Sequence, residues 1–185
     1  MKFMVYHILF NPKKAERHPI EFMFIAVFYS SISILLSTWL FPEYASIIMI
    51  AFSVFSCLYV VQGAIKAEEK SERDYKSEKW LLKRHEKILK FLLFLFIGFV
   101  ISYALWTFFL PAEQVSDLFR LQNAAVIDIK SSVATGQAVN GSNFIMIMAN
   151  NIRVSFLSLI LSLLYGAGAI FIIVWNASVM GFVIG

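Results

Sequence analysis

The sequence predicts an all-α, polytopic transmembrane helical bundle, and three observations carry that prediction. Of its 185 residues, 59% are hydrophobic and only 15% charged, whereas soluble chains carry about 25% charged residues, so there is too little polar surface to clothe a water-soluble fold. The apolar residues gather into uncharged runs of the roughly 20 residues that a helix needs to cross a hydrocarbon core. The charges gather into blocks flanking those runs, without the aromatic-basic interleaving of a nucleic-acid surface, so the net charge of +4 reads as membrane topology and no nucleic-acid partner is expected.

The N-terminal stretch from Lys2 to Phe10 has a short apolar core but runs into Asn11-Pro12-Lys13-Lys14. A cleavable signal peptide would present small residues there, so residues 1–65 are expected to hold an interfacial segment followed by a transmembrane hairpin. Its first span is Phe22 to Leu40, uncharged and closed by Trp39 near the interface. Phe41-Pro42-Glu43 makes a tight turn, and the chain returns as Tyr44 to Ile65.

Residues 66–90 carry nine Lys/Arg and six Asp/Glu. The i,i+4 pairs Glu69 with Arg73, Glu72 with Lys76 and Glu86 with Lys90 favour a solvated helix beyond the membrane. A third span runs from about Ile88 to Leu110, with Trp106 near its far end and Pro111 just past it. In the more polar stretch 111–141, Val115, Leu118, Phe119, Val126 and Ile129 share one helical face. This predicts a short helix lying on the membrane surface, followed by a flexible loop over Ser131 to Asn143. From Val154 to Gly185 no residue is charged, a run of 32. It implies either one tilted helix or two helices meeting near Gly166-Ala167-Gly168 or Asn176, for four or five spans in total. Gly185 lies within that run without a basic or aromatic flank, so the native chain is expected to continue past it.

Thirteen of the 16 Lys/Arg lie before the first span or in residues 66–90, while 111–152 holds only Arg120 and Lys130. The positive-inside rule therefore predicts a multi-pass plasma-membrane protein with a cytoplasmic N-terminus, a cytoplasmic segment 66–90 and an outer segment 111–152. On that topology the sequon Asn140-Gly141-Ser142 faces outward, although such triplets are common by chance.

Chemistry-bearing patterns are sparse. Glu68-Glu69-Lys70-Ser71-Glu72-Arg73 matches the EExxxR string of membrane-embedded prenyl-type proteases, but it lies in the charge-dense segment and no later intramembrane histidines complete a site. A solvated helix face is the expectation. His7, His18 and His85 fall in different segments with no HExxH spacing, so neither a metal nor a cofactor is expected. Cys57 is a lone cysteine in an apolar run. No serine sits in GxSxG and no Asp lies within a span, so no catalytic residue is assigned and the chain is not expected to be an enzyme. Apart from Lys90 at the mouth of the third span, no Asp, Glu, Lys, Arg or His, the usual mark of ion pathways, occurs in the three clear spans. The polar groups Ser30, Ser31, Ser33, Ser37, Gln62, Ser102 and Asn176 are read as helix-packing residues. Ala177, Gly181 and Gly185 recur every four residues, as in GxxxG contacts where small residues let helix backbones approach. With Asn176, Gly166 and Gly168 they form the candidate packing set.

Asn150-Asn151-Ile152-Arg153-Val154, the glycine-bearing run with Gly166 and Gly168, then Trp175-Asn176-Ala177 and Gly181/Gly185, resemble the membrane core of the stage II sporulation protein M family. In that family an Asn-Asn-x-Arg/Lys motif leads into a glycine-bearing helix, then a short Asn/Lys-Gly step into another. Here Ala177 replaces the glycine. The resemblance covers residues 88–185, and the hairpin 22–65 looks like an extension found in archaeal members. It implies a non-enzymatic membrane scaffold or complex subunit, with Asn150, Asn151 and Arg153 as a polar motif, lipid around it, and a protein partner or second copy. The rival classes are a transporter or channel subunit with a polar path through Asn150, Asn151, Arg153 and Asn176, and an intramembrane hydrolase.

Overall fold

The computed structural model describes residues 19–72, 78–134, 148–149, 152, 155–156, 159–160 and 167–185, with side chains placed chiefly over 20–64, 86–127 and 167–185. The described residues are 95% helical, with no strand among them. Six helices are resolved: α1 Pro19–Leu40, α2 Ala45–Glu72, α3 Glu78–Phe109, α4 Ala112–Leu118, α5 Arg120–Ala134 and α6 Gly168–Ile184, with a 3-10 turn Pro42–Tyr44 joining α1 to α2.

Three helical segments are long and apolar enough to cross a membrane: Ile20–Leu40, Pro42–Ala64 and Glu86–Phe109. They coincide with the three spans read from the sequence. Their outward faces carry Phe24, Phe28, Leu35, Phe55, Tyr59, Leu93, Leu105 and Phe108, all well exposed. A soluble monomer does not expose contiguous apolar surface on that scale, so lipid is the solvent of this belt. α6 is as apolar but shorter, at 17 residues, or about 26 Å of helical rise.

The α1–α2 turn forms where Pro42 can start a helical turn without an N–H to satisfy. Tyr44 N–H donates to the Phe41 carbonyl at 3.0 Å. We call this the turn end of the bundle, and the opposite end, where α2 and α3 run on into the charged residues, the charged end. α2 continues unbroken to Glu72 and α3 begins at Glu78, so the predicted solvated helix is two extensions of spanning helices. The Glu86–Lys90 pair forms on the exposed surface, while Arg73 and Lys76 lie outside the described residues.

α1 and α3 run side by side in the same direction. Phe22 stacks edge-on against Phe91 at 5.2 Å near the charged end, and Trp106 Nε1–H donates to Ser31 Oγ at 3.0 Å further along. α6 follows α3 in parallel, with Gly181 beside Val100–Ala104 and Gly185 beside Ala104–Thr107. α2 runs antiparallel to them and shares their core through Met49, Ile50, Val54, Cys57, Val60 and Val61.

Two sequence expectations change. The stretch after Pro111 is a helix pair broken at Phe119, and it does not simply lie on a surface: Leu118, Phe119 and Gln122 are fully buried against the bundle. Phe119 stacks on Phe182 at 5.6 Å and meets Tyr103 edge-on at 6.2 Å. The first residues of the expected loop, 131–134, are helical, because α5 continues to Ala134; residues 135–143 lie outside the described residues. The 154–185 run is interrupted: positions 159–160 are helical, Ala167 is not, and a new helix starts at Gly168.

Candidate functional site

Serines on the buried face of α1 act as small residues with their polarity turned inward. Ser30 Oγ–H donates to the Ala26 carbonyl at 2.6 Å, Ser33 to Tyr29 at 2.7 Å and Ser37 to Ile34 at 2.9 Å. A hydroxyl bonded to its own helix presents little unmet polarity to a neighbour, so two helices can close on it without desolvation cost. α3 uses that closeness at Gly98, where an added Cβ would run into the Met23 carbonyl oxygen and sit 2.9 Å from the Ala26 side chain. Nearby, Ser31 and Ser102 hydroxyls lie 3.3 Å apart, and Trp106 caps Ser31.

Further bonds cross between helices in the core. Ser53 of α2 meets the Tyr103 hydroxyl of α3 at 3.0 Å, both groups fully buried. At the turn end, Gln122 of α5 joins three helices. Ser46 Oγ–H donates to Gln122 Oε1 at 2.9 Å, and Gln122 Nε2–H donates to Ser178 Oγ of α6 at 3.1 Å. Leu121 N–H donates to Ser46 Oγ at 3.2 Å, and Ser178 Oγ–H to the Trp175 carbonyl at 2.8 Å. The amide is therefore bonded at both ends, as a buried amide must be if it is not to destabilise the fold. Arg120, one of the few basic residues at this end, donates from Nη2 to the Glu43 carbonyl at 3.3 Å, holding α5 to the α1–α2 turn.

The predicted packing set divides. Gly168, Ala177 and Gly181 are buried on the inner side of α6. An added Cβ at Gly181 would meet Tyr103 Cβ at 2.6 Å and the Val100 carbonyl at 2.9 Å, while one at Gly185 would strike the Ala104 carbonyl oxygen. The small-residue stripe is thus used within the chain, against α3. Asn176 is on the other side. It is exposed, its Nδ2–H donates to the Ile172 carbonyl of its own helix at 2.7 Å, and it does not join the buried polar groups. Its neighbours on that stripe are the exposed Ala169, Ile172, Met180 and Val183. Gly166, Asn150, Asn151 and Arg153 lie outside the described residues.

Compared with known protein families, characterised proteins and solved structures, the chain matches none of them.

Among the described residues there is no cluster of three or more His, Cys, Asp or Glu that could hold a metal ion. Glycine and serine contacts lock α1, α3 and α6 together, and one glutamine ties α2, α5 and α6. Sequence reading missed Gln122, Ser46, Ser53, Ser178 and Gly98. A signal for Gln122 exists, because it falls on the apolar face defined by Val115, Leu118, Phe119 and Val126, where a solvated glutamine has no place. Gly98 is signalled by its position in the bulky run from Phe91 to Val100.

Proposed function

We propose that the chain is a non-enzymatic membrane scaffold or complex subunit that assembles through the outward stripe of α6. The observation that carries this reading is Asn176. It is a lone amide amid Ala169, Ile172, Met180 and Val183 on the exposed face of α6, whose other exposed residues are apolar. Its bond to Ile172 uses one N–H, leaving a second N–H and the carbonyl oxygen facing outward. In hydrocarbon those groups are costly unless they find a partner. An interhelical amide bond in a membrane contributes about 0.6 to 2 kcal/mol, enough to bias association while adding no chemistry. The inner face of α6 is already committed to α3, which leaves the outer face for a protein partner or a second copy.

The sequence motifs of residues 88–185 support assigning this scaffold to the stage II sporulation protein M type, located in the plasma membrane with a cytoplasmic N-terminus. The transporter alternative loses one of its four path residues, since Asn176 points away from the buried polar groups. Light scattering of the full chain in mild detergent tests the reading. Wild type is expected to run as a complex larger than one chain, and Asn176→Leu, which removes the amide without touching the α3 contact, is expected to shift it toward monomer. Identical masses for the two proteins would refute assembly through this stripe.

A further inference from the structure

A row of lysines continues the lipid-facing stripe of α3 past the charged end of its span. Helical register places residues 79, 83, 87 and 90 one above another, at spacings of four, four and three, all of them lysine. The same line runs on through positions 94, 97, 101, 105 and 108, which are Phe, Ile, Ile, Leu and Phe. Ile101, Leu105 and Phe108 are exposed, as are Lys87 and Lys90. The core-facing residues of α3, Phe91, Leu95 and Phe99, lie on a different side. One continuous strip of this helix is therefore apolar for the depth of a leaflet and more, then cationic.

The dimensions match one kind of molecule. From Phe108 to Lys90 the helix rises about 27 Å, close to the roughly 30 Å of a hydrocarbon core. Lys90 therefore stands at the edge of the hydrocarbon and Lys87 about 4.5 Å beyond it, inside a headgroup layer some 5 to 7 Å deep. Lys83 follows one turn further out. Lysine suits this depth, because its stem can lie along apolar surface while its ammonium reaches the phosphates. Only one acidic side chain among positions 79–90 competes, Glu86, and it is paired with Lys90.

We propose that Lys87 and Lys90, with Lys83 the next lysine in helical register, form a binding site for the headgroup of an anionic phospholipid, whose acyl chains lie along Ile97, Ile101 and Leu105. The positive-inside bias accounts for lysines anywhere near this end of the span. It does not account for their alignment with the lipid-facing stripe. The site depends on the membrane spans alone and is independent of assembly through α6.

The test uses the full chain purified in micelles containing equal phosphatidylglycerol and phosphatidylcholine, with mass spectrometry of the lipid that stays bound. At low salt, wild type is expected to retain the anionic lipid several-fold over the zwitterionic one, an electrostatic preference of up to about fivefold per lysine near the surface. Added salt should erode it. Replacing all three lysines with glutamine is expected to bring retention to the mixing ratio. The matched loss of charge in Lys66→Gln/Lys70→Gln/Lys76→Gln should leave the preference largely in place. Glu86→Gln, which releases Lys90 from its ion pair, is expected to increase it. Equal retention of both lipids by wild type, or an equal effect of the two glutamine triples, overturns the proposal. So does displacement by millimolar inorganic phosphate, because a free-anion site would not need the acyl stripe.

Discussion

Replacing Gln122 with methionine keeps the volume and shape of the side chain but deletes both ends of the bond from Ser46 to Ser178. Interhelical hydrogen bonds in membrane proteins contribute about 0.6 kcal/mol on average and up to about 1.7. The two lost bonds therefore predict a destabilisation of about 1 to 3 kcal/mol, somewhat reduced by the better burial of methionine. The partners left behind moderate the effect: Ser178 still donates to Trp175 and Ser46 still accepts from Leu121, so only the Ser46 proton is stranded. The assay is unfolding of the full chain from mild detergent, run as a double-mutant cycle with Ser178→Ala. A direct bond predicts a coupling energy of about 0.6 to 1.7 kcal/mol. Gln122→Met combined with Ser53→Ala should instead be additive to within about 0.5 kcal/mol, because Ser53 lies seven residues, or about 10 Å of rise, along α2 from Ser46. Wild-type stability in Gln122→Met, with no coupling to Ser178, would refute the clasp.

Gly181→Leu is expected to destabilise the fold by more than the roughly 1 to 3 kcal/mol of ordinary overpacking, since the new side chain must displace the α3 backbone at Val100. Val183→Leu on the exposed side should change stability by less than about 0.5 kcal/mol, and equal effects in the same unfolding assay would show that α6 is not seated on α3. With Cys57 replaced by alanine, a single cysteine at Lys76 should resist an impermeant reagent added outside the cell while one at Asn140 reacts; equal labelling would overturn the orientation. The triple variant Glu68→Ala/Glu69→Ala/Arg73→Ala should insert and assemble normally, because the charge-dense sequence around it reads as a solvated helix face, where i,i+4 pairs contribute only about 0.3 to 0.5 kcal/mol. Loss of a hydrolytic activity with intact folding in that variant would reverse the non-enzymatic reading.

The spans were legible because lipid demands a simple pattern: some 20 apolar residues per crossing, with charge and aromatic residues at the ends. That is why Phe22 to Leu40 and Ile88 to Leu110 could be read to within a few residues. Which side of a span faces protein was not legible by the same means. In lipid both sides are apolar, so hydrophobic periodicity loses its meaning and only small or polar residues betray an interface. Ala177 and Gly181 showed a packing face but not its partner, which is α3 of the same chain. Asn176 was expected to face protein, and within this chain it faces outward, held by its own helix. Gln122 was hidden for a different reason: in a polar stretch one more glutamine looks solvated until Phe119 and Leu118 are seen to bury it.

Assembly through the outer stripe of α6 is tested most directly by placing a photo-crosslinking residue at position 176 in full-length protein reconstituted alone in bilayers, with the same residue at Phe28 as a lipid-facing control. If the partner is a second copy, position 176 should give a covalent dimer and Phe28 only lipid adducts. If the partner is another protein, adding the purified candidate should give a defined heterodimer at 176 that Asn176-flanking controls on the α3-facing side do not give. Lipid adducts alone at 176 under both conditions, indistinguishable from those at Phe28, would contradict the assembly reading.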